Sequence, residues 1–324
     1  MSEKDGLIFG YILDGEGNGV PIGWERVGQW TPDQGTLWVH LDYTTEEVQT
    51  WLETKSQLSE ITREILIEED TRPRITSSKD GLLLILRGVN CNPGSDPEDM
   101  VALRICFNEN RIITMRKSRI LAIDDIHKAI EAGKGPTSSS DFCVMVSGRI
   151  ADRMGDIVSE VDDRMDELED TVLTAESREL RPLLADLRRQ CISLRRYIAP
   201  QRDVLSRLQS ERLSWLTDMD RLHLREIAER TARFVEDIDS ARDRAAITQE
   251  ELNNRLSEQM NKAMYLLSIV AAIFLPLGLI AGLLGVNVGG IPGAKNDFAF
   301  FIVCLLLLLI ALVLVQLFKR VKWL

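Results

Sequence analysis

Two long apolar runs near the end of the chain constrain the fold more than any other feature. Residues 263–286 are almost entirely apolar, with only Tyr265 and Ser268 mildly polar. As a helix, this run extends about 36 Å, which is enough to cross a hydrocarbon core of about 30 Å. Residues 298–318 form a second run, in which Gln316 is the polar member. The sequence therefore predicts two transmembrane helices, joined by a short Gly- and Pro-rich turn at 287–297.

Basic residues follow the second run directly. Lys319, Arg320 and Lys322 lie in the tail 319–324, whereas the turn contains only Lys295, which is offset by Asp297. The positive-inside rule predicts that this tail is cytoplasmic. Because two spans return the chain to the same side, the large N-terminal part is expected in the cytoplasm too.

Charge and cysteine content narrow the functional classes. The net charge is −11, which argues against a nucleic-acid partner because phosphate binding needs clustered Lys and Arg. An acidic body is compatible with concentrating cations near a pore. The five cysteines are scattered without a CxxC pair, so we expect reduced core residues rather than disulfides or a metal site. The three histidines have no second ligand at helical spacing, and no cofactor is expected.

Residues 1–135 alternate short β-like and helical segments, which predicts an α/β domain. The expected strands are 6–14, 36–42, 81–89, 101–107 and 111–117. The expected helices are 46–68, with Thr45 as a possible N-cap, and 119–132.

Residues 136–217 are predicted to form a helical hairpin after a linker at 131–140. The first helix, 141–173, is acidic, and the second, 176–213, is rich in arginine. The two helices either attract each other or expose separate solvated faces, since exposed pairs contribute only about 0–1 kcal/mol each. Pro200 is expected to kink or break the second helix.

Residues 218–262 predict a long stalk helix that continues into the first span. Apolar positions recur at helical spacing close to a heptad. These positions are Leu224, Ala228, Thr231, Val235, Ile238, Ala245, Leu252, Leu256 and Met260. One small domain cannot cover a helix of this length, so we expect it to pack against copies of itself.

An acidic stripe follows the same helix. Glu229, Glu236, Asp243 and Glu250 are seven residues apart. In a single helix this stripe is a solvated face. In a ring of parallel helices it could instead line a cation vestibule, with Glu250 as its strongest member.

Three small residues and an asparagine lie at the end of the first predicted span. Gly278, Gly282 and Gly285 allow a helix or a hydrated ion to approach the backbone. Asn287 then places a carboxamide at the far end, and a ring of such amides presents oxygen dipoles to a cation. Helix packing with an Asn cap is the alternative interpretation.

The segment around this motif resembles the CorA family of divalent-cation transporters. The matching positions are Pro276, Leu277, Ile280, Ala281, Gly282, Gly285 and Asn287. Gly278 stands where the family usually has Thr, and Val286 stands where it has Met. The turn 288–293 lacks the acidic segment of the magnesium-transporting branch.

Further segments resemble the zinc-transporting ZntB branch of that family. They are Arg72-Pro-Arg-Ile, Leu86-Arg-Gly-Val-Asn, Asp99-Met and Ile198-Ala-Pro-Gln-Arg. The resemblance implies a homopentamer in the bacterial inner membrane, with an α/β cytoplasmic funnel and a pore lined by the first span. It also implies movement of zinc and similar divalent cations, for which proton coupling is proposed.

Aligning this chain with the family at Asn287 transfers the family's pore positions to residues of this chain. The pore-lining residues are expected to be Gly282, Gly278, Leu275, Leu267 and Met264, followed by Glu250 in the vestibule. Leu275 and Met264 would form apolar constrictions that gate by dewetting. Gly285, Val286 and Asn287 would form the selectivity motif, with Asn287 holding a hydrated ion transiently. Lys319, Arg320 and Lys322 would form a basic collar or simply anchor the topology.

The sequence thus predicts an α+β membrane protein: an N-terminal α/β cytoplasmic domain, a long helical stalk and two C-terminal transmembrane helices. Zinc transport is the favoured function. A magnesium or cobalt transporter of the same architecture is one alternative. A membrane-anchored coiled-coil scaffold is an alternative of a different class. An enzyme is not expected, because no nucleophile or acid/base pair stands out.

Overall fold

The structure is a computed structural model that describes residues 5–69, 71–174, 179–211, 213–286 and 297–320. It divides into two compact units, Met1–Gln249 and Glu250–Leu324. The first unit contains a seven-stranded sheet and most of the helices. The second contains the apolar end of one long helix and the last helix of the chain.

The sheet of the N-terminal unit is mixed. Its strands are β1 (Leu7–Leu13), β2 (Gly19–Ile22), β3 (Thr36–Asp42), β4 (Arg74–Ser78), β5 (Gly81–Gly88), β6 (Val101–Phe107) and β7 (Arg111–Arg116), in the spatial order β2-β1-β3-β7-β6-β5-β4. In the described sheet β3 pairs with β7 in parallel, whereas the other neighbouring strands are antiparallel.

Eight α-helices surround or follow the sheet in the described residues. They are α1 (Trp24–Val27), α2 (Glu46–Thr54), α3 (Glu60–Ile67), α4 (Leu121–Glu131), α5 (Ser139–Thr174), α6 (Leu180–Leu208), α7 (Asp218–Leu284) and α8 (Ala299–Arg320). A short 3-10 helix covers Pro32–Gln34.

The sheet core forms because its central strands are apolar on both faces. In β5 the run from Leu82 to Leu86 is fully buried, with α5 and α6 packed against the strand. A second cluster joins Val48 and Leu66, on α2 and α3, to Val39 of β3. The five strands expected from the sequence are all present within one residue at either end.

Three local expectations need correction. The helix expected at 46–68 is two helices, α2 and α3, because the chain turns at Gln57, whose φ of 59° is in the left-handed region. Thr45 occupies the N-cap of α2, but its hydroxyl donates to the Asp42 carbonyl at 3.0 Å and makes no capping bond. Helix α6 is not broken at Pro200, which lies within the continuous helix, and a kink there stays a prediction.

The acidic part of α5 is matched by a guanidinium on α7. Arg244 Nη1 lies 2.9 Å from Asp162, its Nε lies 3.1 Å from Glu169, and its Nη2 also binds Asp166 and Glu169. The three acids are spaced i, i+4 and i+7, so they share one face of α5. Arg244 of α7 is thus a partner of the acidic helix that the sequence interpretation did not consider. Helix α6 also packs on α5, where Arg164 Nη1 donates to Gln190 Oε1 at 3.0 Å, and attraction between these two helices stays one of the two open interpretations.

The apolar seam of α7 is buried within the N-terminal unit as far as Ala245. A Cβ added at Gly155 of α5 would lie 3.1 Å from the Phe234 ring, which shows how closely this side chain packs on α5. Arg230 also pairs with Asp152 at 2.8 Å. The expectation that copies must cover the stalk is therefore wrong for this part, where the chain's own helices supply the cover.

Candidate functional site: an exposed arc on the first apolar helix

The apolar end of α7 and the whole of α8 are long and apolar enough to cross a membrane. Most of their apolar side chains are exposed within the single chain, and nearly all the others are only half-buried. Such a continuous apolar surface is stable only when lipid or other protein covers it. This part of the chain therefore has the properties of a membrane protein.

The positions expected to line a pore lie together on one side of α7. At about 100° per residue, they fall within an arc of about 80° on an ideal helix. All of them are exposed in the single chain, Leu275 at 72%. The arc consists of Met264, Leu267, Leu275, Gly278 and Gly282.

The covered side of the same helical segment lies opposite this arc. Ile269 is only 7% exposed, and Ile273 and Ile280 are half-buried. On an ideal helix these three lie about 180° from the centre of the arc. The helix thus has a narrow, partly covered side around Ile269, while the rest of its circumference, including the expected pore residues, is mostly exposed.

Two glycines of the arc have no packing partner among the residues that the structure describes. A Cβ added at Gly278 or Gly282 would meet nothing within 4 Å. Gly285 instead lies at the helix end, where its N–H donates to the Ala281 carbonyl at 2.9 Å. Because the first two glycines face open space, their small size matters only to something outside the described chain.

The selectivity motif is described only in part. Val286 is exposed and follows the end of α7, whereas Asn287 lies outside the described residues, as does Lys322. Lys319 and Arg320 occupy the last turn of α8. The Asn287 ring and the basic collar therefore stay predictions.

The acidic stripe lies on the exposed side of α7. Glu229 binds Arg225 at 2.9 Å and Asp243 binds Arg242 at 2.9 Å, both within the helix. Glu236 and Glu250 are exposed as well. The same exposure suits a solvated face and a vestibule in an assembly, so both interpretations stay open.

A resident metal site is not assembled by the described residues. They contain no group of three or more His, Cys, Asp or Glu side chains that could hold a metal ion. The five cysteines are free. Cys106, Cys143 and Cys191 are buried, as the sequence predicts, whereas Cys91 and Cys304 are exposed and are not the core residues that were expected. Burial raises the pKa of Cys106 and of Cys143 to about 12.

Sequence reasoning missed Arg244 as a junction between helices. Hydrogen bonds to Glu169 and Asp166 raise the pKa of its guanidinium, so it stays charged. A signal was present: Arg244 lies beside buried Ala241 and Ala245, and the acidic triplet on α5 has matching helical spacing. Small neighbours leave room for a long side chain to reach across.

These features together define a class: a membrane protein with an α/β N-terminal unit, a long helix that becomes the first span, and a second span after it. The sequence matches the family described as CorA-like Mg2+ transporter protein over residues 33–320. The chain belongs to the CorA family, whose members transport divalent cations.

Individual relatives match along nearly the whole chain. The divalent cation transporter CmaX of Pseudomonas aeruginosa is 39% identical over 326 residues, covering 99% of this chain and 98% of that protein. The zinc transport protein ZntB of Yersinia enterocolitica is 37% identical over 317 residues, covering 98% and 96%. The solved structure of full-length CmaX matches with a TM-score of 0.86 at 37% identity, covering 99% of both chains.

Proposed function

We propose that this protein carries zinc across the bacterial inner membrane through a central pore formed by five copies of the apolar part of α7. The observation that carries the proposal is the exposed arc, opposite the covered side of the helix. Copies arranged around an axis would bring their arcs together and give the bare glycines a role.

Zinc is favoured over other divalent cations by two observations. Zinc transport proteins are 37% identical along nearly the whole chain. The turn after the first span also lacks the acidic segment that the sequence comparison associates with magnesium transport. The alternative is a magnesium or cobalt transporter of the same architecture, which the family description also suits.

Each part of the arc has a separate role in the proposed mechanism. A ring of Asn287 amides would hold a largely hydrated ion by its oxygen dipoles. Leu275 and Met264 would close the resting pore by excluding water. On an ideal helix Glu250 falls about 20° from Leu275, so its carboxylate would face the ions that approach the same passage.

The proposal also includes the membrane topology of the chain and the coupling of zinc transport to protons. The basic residues Lys319 and Arg320 after the second span favour a cytoplasmic C-terminus and, with two spans, a cytoplasmic N-terminal unit. Proton coupling would supply a driving force for a divalent ion. It is tested by imposing a pH gradient together with the zinc gradient.

The central experiment measures zinc flux into liposomes that contain the purified full chain. We expect Asn287→Ala to abolish zinc flux while the oligomer stays intact on size-exclusion chromatography. Asn110→Ala, in the N-terminal unit, is the matched control and should transport normally. Normal zinc flux in Asn287→Ala contradicts the selectivity role. Flux of magnesium but not zinc in the unmodified protein supports the alternative substrate, and no ion flux at all supports the scaffold interpretation.

The gate is tested separately by leak. Leu275→Ala and Met264→Ala should raise resting conductance, because a smaller apolar ring admits water more readily. Leu266→Ala is the control, since Leu266 is similarly exposed, at 63%, but lies about 140° from the centre of the arc on an ideal helix. Equal resting conductance in all three variants and in the unmodified protein would contradict the proposed hydrophobic gate.

A further inference from the structure

Three sequence segments far from the spans converge on one buried arginine, Arg87. The Arg87 guanidinium donates to the Thr71 carbonyl, from Nε at 3.0 Å, and to the Met100 carbonyl, from Nη1 at 2.7 Å. Its backbone N–H donates to Gln201 Oε1 at 2.6 Å, and its guanidinium lies 4.6 Å from the centre of the Tyr197 ring. Segments that are distant in the sequence and lie outside the proposed pore are thus held together by the Arg87 side chain.

A second buried arginine lies beside it. Arg104 is 1% exposed, its guanidinium lies 4.4 Å from the centre of the Tyr43 ring, and its Nη2 donates to the Glu68 carbonyl at 2.6 Å. Burial lowers the pKa of Arg104, and the nearby charge of Arg87 acts in the same direction. Two like charges are therefore held close together inside the fold.

One donor of this pair is unsatisfied. The Nε of Arg104 is buried and has no hydrogen-bond partner within the described part of the chain. A buried unsatisfied donor costs about 1–3 kcal/mol, and more when it belongs to a charged group. Because Arg104 is 1% exposed and its Nε is closed to solvent, Arg104 contributes its positive charge to its surroundings rather than a free hydrogen-bond donor.

Both arginines line a cavity of about 220 Å³. Lys117, Ser118 and Asn90 also line it and bring further donors. The acidic lining residues are Glu69, which pairs with Lys117 at 3.6 Å, and exposed Asp99. Three cationic side chains thus face two anionic ones, in a protein whose net charge is −11.

The amide of Asn90 is oriented by its neighbour. Its Oδ1 accepts from the backbone N–H of Asn92 at 3.2 Å and from Asn92 Nδ2 at 2.7 Å. Its own Nδ2 has no hydrogen-bond partner among the residues that the structure describes. The donor end of Asn90 is therefore available to a ligand in the cavity.

We propose that this cavity binds a small oxyanion of the phosphate type between Arg87, Arg104 and Asn90. Arginine matches tetrahedral oxyanions through its planar set of N–H donors. The volume suits a single phosphate group rather than a larger organic ligand, since pockets for drug-sized molecules are about 300–1,000 Å³. Because Arg87 contacts Gln201 and Tyr197 of α6, a bound anion would strengthen the junction between the sheet and that helix.

The test is titration of the purified full chain in detergent with inorganic phosphate, at ionic strength held constant with chloride. Isothermal titration calorimetry should show saturable binding. Asn90→Asp keeps both bonds from Asn92 but replaces the free donor with a negative charge, so binding should weaken at least about tenfold, which corresponds to about 1.4 kcal/mol.

Asn110→Asp is the matched control. It makes the same substitution at the turn between β6 and β7, at the opposite end of these strands from the cavity, and phosphate binding should be unchanged. Ser118→Asp introduces the same negative charge at a second residue that lines the cavity. It should weaken phosphate binding even if Asn90→Asp fails to fold. No saturable phosphate binding in the unmodified chain, or equal binding in Asn110→Asp and both cavity variants, would overturn the proposal.

Discussion

The contact of Arg244 with three carboxylates on α5 predicts a measurable loss of stability when the guanidinium is removed. Arg244→Met keeps the length and apolar contacts of the side chain but deletes the charge. Asp162, Asp166 and Glu169 would then repel one another without a counter-ion. The effect falls on the connection between α5 and the part of α7 that belongs to the N-terminal unit.

The magnitude follows from partial burial. Exposed ion pairs contribute about 0–1 kcal/mol each, whereas hydrogen bonds to charged groups contribute about 1.5–3 kcal/mol. The Arg244 side chain is 29% exposed, which places it between these cases. We expect Arg244→Met to lower the free energy of unfolding by about 2 kcal/mol, or Tm by about 4–8 °C for a unit of this size.

The assay is thermal unfolding of the full chain followed by tryptophan fluorescence. This signal reports mainly on the N-terminal unit, because five of the six tryptophans precede residue 249. Arg225→Met is the control: Arg225 pairs with Glu229 within α7 and its side chain is 64% exposed, so the change should stay below about 0.5 kcal/mol. High salt should reduce the difference between the two variants.

A second substitution distinguishes lost charge from lost packing. In the Arg244→Met background, Asp166→Asn should restore part of the stability because it relieves repulsion on α5. The reasoning is refuted if Arg244→Met unfolds no earlier than Arg225→Met. It is also refuted if Asp166→Asn destabilises the double variant further.

Two further predictions concern the N-terminal unit. Maleimide labelling followed by mass spectrometry should modify exposed Cys91 quickly and leave Cys106 and Cys143 unmodified in the folded protein, because burial raises both pKa values to about 12; fast labelling of the buried pair would contradict this. Gly81→Ala should destabilise by about 2 kcal/mol or more in urea unfolding, because Gly81 has φ of 129° and an added Cβ would lie 2.4 Å from the Phe107 carbonyl oxygen. A change below about 0.5 kcal/mol would show that this turn relaxes at little cost.

The central strands could be predicted from the sequence, whereas the two edge strands could not. Strands β3, β5, β6 and β7 are short apolar runs between turn residues, and burial on both faces produces that pattern. The edge strand β2 contains Pro21, which argues against a strand in a local reading but is tolerated at an edge. The other edge strand, β4, is mostly polar because one of its sides has no partner strand.

The break between α2 and α3 has only a weak sequence marker, Ser59, which is the N-cap residue of α3. Neither glycine nor proline occurs between Thr54 and Glu60, and the turn depends on Gln57 in a left-handed conformation. Ser56 supports it, since its hydroxyl donates to the Leu52 carbonyl at 2.6 Å. Tertiary packing of both helices on the sheet overrides the helical preference of the local sequence.

The arc of expected pore residues on α7 could be identified from the sequence only through family resemblance. Spacing alone marks Gly278 and Gly282 as small, without saying whether a helix or an ion approaches them. The structure adds that both glycines are bare and that Ile269 marks the covered side. The paired arginines Arg87 and Arg104 escaped prediction because their partners are carbonyl groups from distant segments, which no local pattern reveals.

The parallel pairing of β3 with β7 determines the order in which the N-terminal unit can be completed. Its two strands are separated by about 70 residues, so their pairing closes a long loop and must wait until the chain has been made through Arg116. Until then β3 can pair with β1 alone and leaves an unprotected edge. During synthesis, the interval between these two strands is therefore when the nascent chain is most exposed to wrong strand pairing. This interval ends long before the first apolar span is made.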